Sequence, residues 1–298
     1  MRTLRTVVAT ALLVLGGGAA GEVPGVRRFT SGEPSRFANV YWFRTGRGSV
    51  LVDAPFLATD TAALAAEMSA GGALPLGAAI LTGGLPESSW GLGALVSPAT
   101  RVWGARSTAR RLEASFHGER ERLLRAGIPF ASMPRTPPIL TNAFSGSLNL
   151  GFEGYTLRLL EVGEAGDSPS TIVFVPETGE LFAGELVWNR VFPVTRGEDL
   201  GAWRRELAGL KRLRPRVVYP GHGEPGGVEL LDGMAAWLET LEEAVRPLAS
   251  RSSLSARDVA SLRAGLVRKR SDWLLPSNLE TSLRAEHARL RRLFAGGG

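Results

Sequence analysis

The stretch ILTGGLPESSWG, from Ile80 to Gly91, ends an apolar strand and opens a helix. The apolar residues before Gly83 and Gly84 are typical of a buried strand, and a helix is expected from about Ser88. The stretch carries no histidine, the residue that catalytic zinc sites prefer. The role of a loop of this form without histidine is the question on which the functional interpretation depends.

Strands and helices are predicted to alternate on both sides of this loop, which indicates sheets covered by helices. Three short strand candidates come first, followed by a helix with Gly71 at its end, and then strand and helix follow one another. The strand candidates of this half are residues 26–31, 39–45, 48–54, 77–83 and 100–105, and the helix candidates are 58–72, from about 88, and 107–127.

The Pro-rich segment 128–141 cannot continue a helix or form a central strand, so we interpret it as a surface crossover between two halves. The spacing of Trp203, Leu207 and Leu210 predicts one buried helical stripe. The strand candidates of the second half are 154–162, 170–176, 179–186 and 216–220, and its further helix candidates are 228–245, from 255 or 258, and 278–294.

The composition excludes several classes of function. The chain has a formal net charge of +6, but its basic residues are scattered among acids on predicted helix faces, which argues against nucleic-acid binding. It contains no cysteine, so thiolate metal sites and thiol catalysis are excluded.

The N-terminus predicts export. A short basic region is followed by the apolar run Val7 to Leu15 and by small residues. This order is typical of a secretory signal peptide, here residues 1–21, cut near Ala20 or Gly21. The apolar run is too short to span a bilayer, so we expect a periplasmic or secreted protein with no stable membrane span after cleavage. An uncleaved membrane-anchored helix is the alternative.

Four segments, in chain order, resemble landmarks of the metallo-β-lactamase superfamily. The segment ILTGGLPESSWGLGAL aligns without gaps to the T-H-x-H-x-D-H-x-x-G loop of that family. The segment NVYWFRTGRGSVLVDAP, which contains Asp53, resembles the opening hairpin of the family. The segment PETGELFAGELV resembles its P-x-x-x-x-L-F-x-G-D strand, and VVYPGHGEP resembles its final ligand turn. The secretion signal and the tail segment DWLLPSNLE are also similar to a periplasmic branch described as quinoprotein-associated zinc hydrolases.

The resemblance implies an α/β (α+β) fold, a four-layer αβ/βα sandwich with two facing β-sheets and helices outside. The resemblance covers roughly residues 25–226. We therefore expect a signal peptide over 1–21, a metallo-β-lactamase-like domain over 22–227, and a helical C-terminal extension over 228–298.

The family's two-metal site maps onto this chain with most imidazoles missing. The loop ligands of the first metal fall at Gly83 and Leu85, which offer no side-chain donor. Its third ligand falls at Gly166, or at Asp167 if the alignment slips by one residue.

The second metal site keeps more of its donors. Its aspartate falls at Glu87 and one histidine falls at Ser88, while the bridging aspartate falls at Glu185 and the last histidine is kept as His222. The candidate metal residues implied by the resemblance are therefore Glu87, Glu185, His222 and Asp167.

Two functional interpretations follow. In one, a single divalent metal, zinc or manganese, binds to the Glu/Glu/His set and makes a one-metal hydrolase. In the other, which we favour, no metal binds and the protein is a non-standard or inactive homologue with a binding or accessory role. Its partner would then be a small molecule or a periplasmic protein, and the latter would show as an exposed apolar patch on the tail helices.

The remaining candidate residues lie around the same cleft. The side chains of Leu85, Ser88, Trp90 and Trp188 are predicted to line a small-molecule pocket, or else to fill the space that the metals vacated. Ser88 is either part of a Ser-His-acid constellation or a helix N-cap, and we favour the N-cap. His117 and His287 lie in charged helical patterns and are expected at the surface.

Overall fold

A computed structural model describes residues 12–13, 25–45, 48–152, 155–163 and 170–295. The predicted signal peptide thus lies outside the described residues except for Leu12–Leu13. The strands are β1 Leu12–Leu13, β2 Arg27–Thr30, β3 Asn39–Thr45, β4 Gly48–Val52, β5 Leu76–Ile80, β6 Arg101–Ala105, β7 Asn142–Phe144, β8 Ser147–Phe152, β9 Tyr155–Val162, β10 Ser170–Val175, β11 Glu180–Trp188 and β12 Val217–His222. The α-helices are α1 Ala58–Ala70, α2 Pro86–Ser89, α3 Arg106–Arg125, α4 Leu200–Lys211, α5 Glu229–Val245, α6 Ala256–Lys269 and α7 Asn278–Ala295.

The strands form two sheets. One sheet has the order β2-β3-β4-β5-β6-β7, antiparallel up to β4 and parallel from β4 onward. The other has the order β1-β8-β9-β10-β11-β12, antiparallel from β8 to β11 and parallel at both edges. The strands β7 and β8 were not predicted from the sequence.

Each central strand is apolar on both faces because each sheet is covered on both sides. In β3 the side chains of Tyr41 and Phe43 face the other sheet, whereas Val40 and Trp42 face α1 and α3. On the other sheet, Ile172 packs toward the core that α4, α5, α6 and α7 share with the sheet. Helices, sheet, sheet and helices therefore form four layers, and the predicted sandwich is confirmed.

Aromatic rings fill the space between the two sheets. The ring of Phe182 stacks on Tyr219 with centroids 4.6 Å apart, and lies 6.0 Å from Phe43 and 5.7 Å from Tyr41. These contacts hold the strand that carries Glu185 against the opposite sheet.

The C-terminal helices hold the segment that leads from β11 to α4. Asn278 donates a hydrogen bond to the Phe192 carbonyl at 2.7 Å. The Ser282 hydroxyl accepts a hydrogen bond from the Thr195 amide at 3.0 Å and donates one to the Pro193 carbonyl at 3.0 Å. The tail thereby fixes a segment that also borders the candidate site.

Several local expectations differ from the structure. The helix expected from Ser88 begins at Pro86, with Leu85 at its N-cap position and no side-chain cap. His117 is exposed as expected, but His287 is buried, and its Nε2 lies 3.1 Å from the Leu248 carbonyl oxygen. The charged residues around His287 suggest an exposed position, but His287 lies on the buried face of α7.

The tail helices expose single large apolar side chains, Leu293 and Phe294 among them, at the end of α7. Within the described ranges, we find no helix of the length and apolarity that a bilayer crossing needs.

Truncation of a ring between the sheets should destabilise the fold far more than truncation of an exposed ring. We expect Phe182→Ala to lower the free energy of unfolding by about 3–5 kcal/mol, because a cavity replaces ring contacts. The exposed Phe294→Ala should change it by less than about 0.5 kcal/mol. Urea unfolding followed by tryptophan fluorescence measures both, and equal values for the two variants would contradict this packing.

Candidate functional site

The candidate site lies where strand ends of the two sheets meet. Asp53 directly follows β4, and its carboxylate accepts hydrogen bonds from the Thr82 amide at 2.7 Å and the Thr82 hydroxyl at 2.6 Å. Burial raises the pKa of Asp53 to about 8 although the two Thr82 hydrogen bonds oppose the shift; the nearby Glu185 carboxylate raises it further. This aspartate therefore binds the loop that follows β5.

Close contact between the sheets at this point requires a glycine. A Cβ on Gly184, whose φ is +50°, would lie 2.3 Å from the Thr82 hydroxyl oxygen. With Gly184 in place, β11 passes directly against the loop after β5 and brings Glu185 to the site.

Glu87 is paired with an arginine. Its carboxylate lies 2.5 Å from the Arg36 guanidinium, with the carboxylate side chain only 6% exposed. Burial alone would raise the pKa of Glu87, but the guanidinium groups of Arg36 and Arg196 outweigh it and lower that pKa to about 2. Glu87 is therefore an anion whose charge is already balanced by cations of the protein.

His222 is fully buried and its ring is fixed at three places. Its Nδ1 donates to the Arg36 carbonyl oxygen at 2.8 Å, and its Nε2 lies 3.2 Å from the Glu185 carboxylate. The indole ring of Trp188 stacks on the imidazole with centroids 3.4 Å apart. Because Nδ1 carries a proton, the contact between Nε2 and Glu185 is a hydrogen bond only when a further proton lies between them.

The opposite sheet supports the turn that presents His222. Asn39 donates hydrogen bonds to the carbonyl oxygens of Pro220 and Gly223, at 3.0 and 2.7 Å. The Tyr41 hydroxyl donates to the Pro220 carbonyl oxygen at 2.7 Å. Two neighbouring side chains of β3 thus define where the imidazole stands.

The positions of the missing histidines still face the site. A Cβ on Gly83 would lie 3.6 Å from the Ser88 hydroxyl oxygen and 3.9 Å from Cγ of Glu185. Leu85 stands beside Glu185 in the lining of a cleft. The backbone thus directs both positions to the same place, but neither residue brings a donor atom.

The described residues do not fit a catalytic metal. Zinc takes three or four N, S or O donors, and in the ranges described here no group of three or more His, Asp and Glu side chains could hold a metal ion. Glu185 and His222 lie together, whereas Glu87 is bound to Arg36. The fourth candidate, Asp167, lies outside the described residues.

A cleft of about 70 Å³ opens beside Glu185 and is continuous with solvent. Leu85 and Trp188 lie in its lining. Its other described lining residues are Gly163, Ser170, Glu185, Leu186, Val194, Arg196, Glu198, Asp199, Ala202, Trp203 and Glu206.

Two predicted lining residues lie elsewhere. Ser88 is buried inside α2, where its hydroxyl is 3.3 Å from the Leu85 carbonyl oxygen, so it is neither an N-cap nor bonded to His222. Trp90 packs between Phe56 and Phe116 in the core that α1 and α3 cover, with ring centroids 5.7 and 4.6 Å away. Trp90 begins the short 3-10 helix that follows α2, and its ring belongs to the core between the sheet and α1 and α3.

Sequence reasoning missed the two arginines of the site. Arg36 lies in a short loop between two strands, and its partner Glu87 is 51 residues further along the chain. Arg196 lies in the segment between β11 and α4. No local pattern marks either residue, because their role arises only when distant loops meet.

No family model matches the chain. In sequence it is 29% identical over 100 residues to "Metallo-beta-lactamase type 2" of Bacteroides fragilis, covering 32% of this chain and 40% of the length of that protein. Its structure is similar to a metallo-β-lactamase family protein of Thermus thermophilus, with a TM-score of 0.66, 20% identity, and coverage of 92% of this chain and 95% of the other. It is also similar to a β-lactamase domain protein of Burkholderia ambifaria, with a TM-score of 0.67, 19% identity, and coverage of 92% and 86%. The chain has the metallo-β-lactamase fold, and the resemblance read from its sequence is confirmed.

Removal of Arg36 should leave an uncompensated buried carboxylate. We expect Arg36→Met to lower the free energy of unfolding at pH 7 by about 3 kcal/mol, and Arg36→Met with Glu87→Leu to recover most of it. Arg28→Met is the matched control, because its partner Glu224 is exposed, and it should cost less than about 1 kcal/mol. Urea unfolding of the unmodified protein and the three variants measures these differences. A double variant no more stable than Arg36→Met would contradict this pairing.

The raised pKa of Asp53 predicts a pH dependence of stability. The ordinary pKa of this carboxyl is 3.8 and its pKa in the folded protein is about 8, so the folded protein binds more protons between these pH values, and stability falls as pH rises through them. Asp53→Asn keeps both Thr82 partners and removes the titration. Unfolding free energies measured from pH 4 to pH 9 should therefore decline more steeply for the unmodified protein than for Asp53→Asn, and parallel curves would contradict the shift.

Proposed function

We propose that this metallo-β-lactamase-fold protein has a degraded metal centre and acts by binding a small molecule, rather than by metal-dependent hydrolysis. The observation that carries the proposal is the ion pair between Arg36 and Glu87. The Arg36 guanidinium holds one oxygen of this carboxylate at 2.5 Å and neutralises its charge, which weakens Glu87 as a metal ligand.

The cleft supports binding of a small molecule. It combines apolar walls with a few charged groups that can orient a small ligand. The cleft borders Glu185 directly, which supports the binding of a ligand beside the metal position that the resemblance implies.

A one-metal hydrolase is the second candidate, and one observation favours it. The Arg36 carbonyl fixes Nδ1 of His222 and leaves Nε2 directed at the Glu185 carboxylate. This second-partner arrangement is common for histidines that bind a metal. Breaking of the Arg36 pair would add Glu87 as a third donor, for zinc or manganese.

Export remains part of the proposal and is supported by the N-terminal sequence pattern alone. It places the protein in the periplasm or outside the cell, where a protein partner is an alternative to the small molecule. Fractionation of cells that produce the full chain, with mass spectrometry of the mature N-terminus, tests cleavage near Ala20 or Gly21.

Metal content tests the proposed function. We expect the protein, purified without chelator, to contain far less than one equivalent of zinc or manganese by elemental analysis, and not to be stabilised thermally by either ion. The positive control is Gly83→His with Leu85→His, which adds two imidazoles near Glu185 and His222 and should gain zinc. Near-stoichiometric metal in the unmodified protein, lost in Glu185→Gln, would contradict the proposal and support the hydrolase.

A further inference from the structure

The cleft presents aromatic surfaces whose polar edges are already used. The indole N–H of Trp188 donates to the Glu185 carbonyl at 3.0 Å, and that of Trp203 donates to the Leu186 carbonyl at 3.1 Å. Both rings are therefore held in place. Since Trp188 is buried and stacks one face on His222, Trp203 offers most of the accessible π surface of the cleft.

The charges of the cleft are mainly negative, although the whole chain is basic. Its described lining residues include four carboxylates and a single guanidinium, that of Arg196. The field of Arg196 already acts on the buried Glu87 carboxylate. An anion entering the cleft would thus meet more carboxylates than cations.

The four carboxylates differ in how far the protein already neutralises them. Asp199 caps α4 through the Gly201 and Ala202 amides and has Arg205 within 3.6 Å. Glu206, one turn from Trp203 on the same helix, forms no ion pair with any other residue that the structure describes. A half-buried carboxylate and an indole ring in the lining of one cleft are a combination suited to a positively charged group.

From this we infer that the cleft binds an organic cation with an apolar body, of the quaternary or tertiary ammonium class. The inference rests on the proposed function and specifies its ligand class. The apolar part of such a ligand would lie against Trp188, Trp203 and Leu186, and its charge would lie toward Glu206 and Glu185. Such a cation needs no hydrogen-bond donor from the cleft walls, because carboxylates and aromatic surface attract it.

Three probes of nearly equal shape test the sign of the charge. Choline, its neutral analogue 3,3-dimethyl-1-butanol and the anion 3,3-dimethylbutanoate share a branched head of the same size. Ligand-observed NMR titration of the full-length protein gives their Kd values. We expect choline to bind about tenfold more tightly than the neutral probe, as a partly desolvated cation–π contact predicts, and the anion to bind most weakly.

Two variants assign the preference to this cleft. Glu206→Gln should raise the Kd of choline severalfold and leave the Kd of the neutral probe unchanged. Trp203→Leu should raise the Kd of both probes. Glu113→Gln, an exposed glutamate of α3, is the matched control and should change neither. Circular dichroism and thermal unfolding of each variant establish that the fold is kept.

The outcomes separate this inference from the proposed function. Equal affinity for choline and the neutral probe, absence of binding by all three, or an unchanged choline Kd in Glu206→Gln would overturn the ligand class. Each of these results, obtained on protein that contains no metal, leaves the proposed binding role standing. Stoichiometric metal in the same preparation would instead overturn the proposed function itself.

Discussion

The ion pair between Arg36 and Glu87 is the contact on which the rest of the site depends. The transfer of two charges from water to the interior costs several kcal/mol per ion unless they are closely paired. Here the guanidinium of Arg36 pairs with Glu87 while the carbonyl of the same residue holds the His222 ring. One loop residue thus positions an acid from α2 and an imidazole from the end of β12. An arginine side chain and a backbone carbonyl of the same residue therefore hold these two groups in place.

Much of the fold could be predicted from the sequence because its strands and helices carry strong local patterns. Strands such as β3 and β10 are β-branched or aromatic along most of their length, and α5 presents one continuous apolar stripe. The strands β7 and β8 escaped prediction because residues such as Asn142, Ser147 and Gly151 interrupt any alternation. Their pairing at or near the sheet edges is decided by the neighbouring strands, which no local window contains.

The sequence predicted contacts of the site only between residues that the order of the strands places side by side. Glu185 and His222 lie on adjacent parallel strands, so the family pattern was enough to expect them together. Arg36 and Arg196 act through contacts between loops distant in sequence, which spacing does not reveal. Trp90 was expected in the cleft because it follows the loop of the resemblance, but its ring packs into the core beside Phe56 and Phe116, which lie far from it in sequence.

The hold of the tail on the segment between β11 and α4 has an energetic consequence. Asn278 and Ser282 of α7 fix the same stretch of backbone that carries Arg196 into the cleft wall. Docking of α7 and occupation of the cleft by a ligand are therefore linked equilibria. Each one that occurs first supplies part of the free energy needed to order this segment, so the other has less to supply. The coupling free energy is the same in both directions. A chain with α7 detached would bind any cleft ligand more weakly by the same factor by which the ligand strengthens docking of α7.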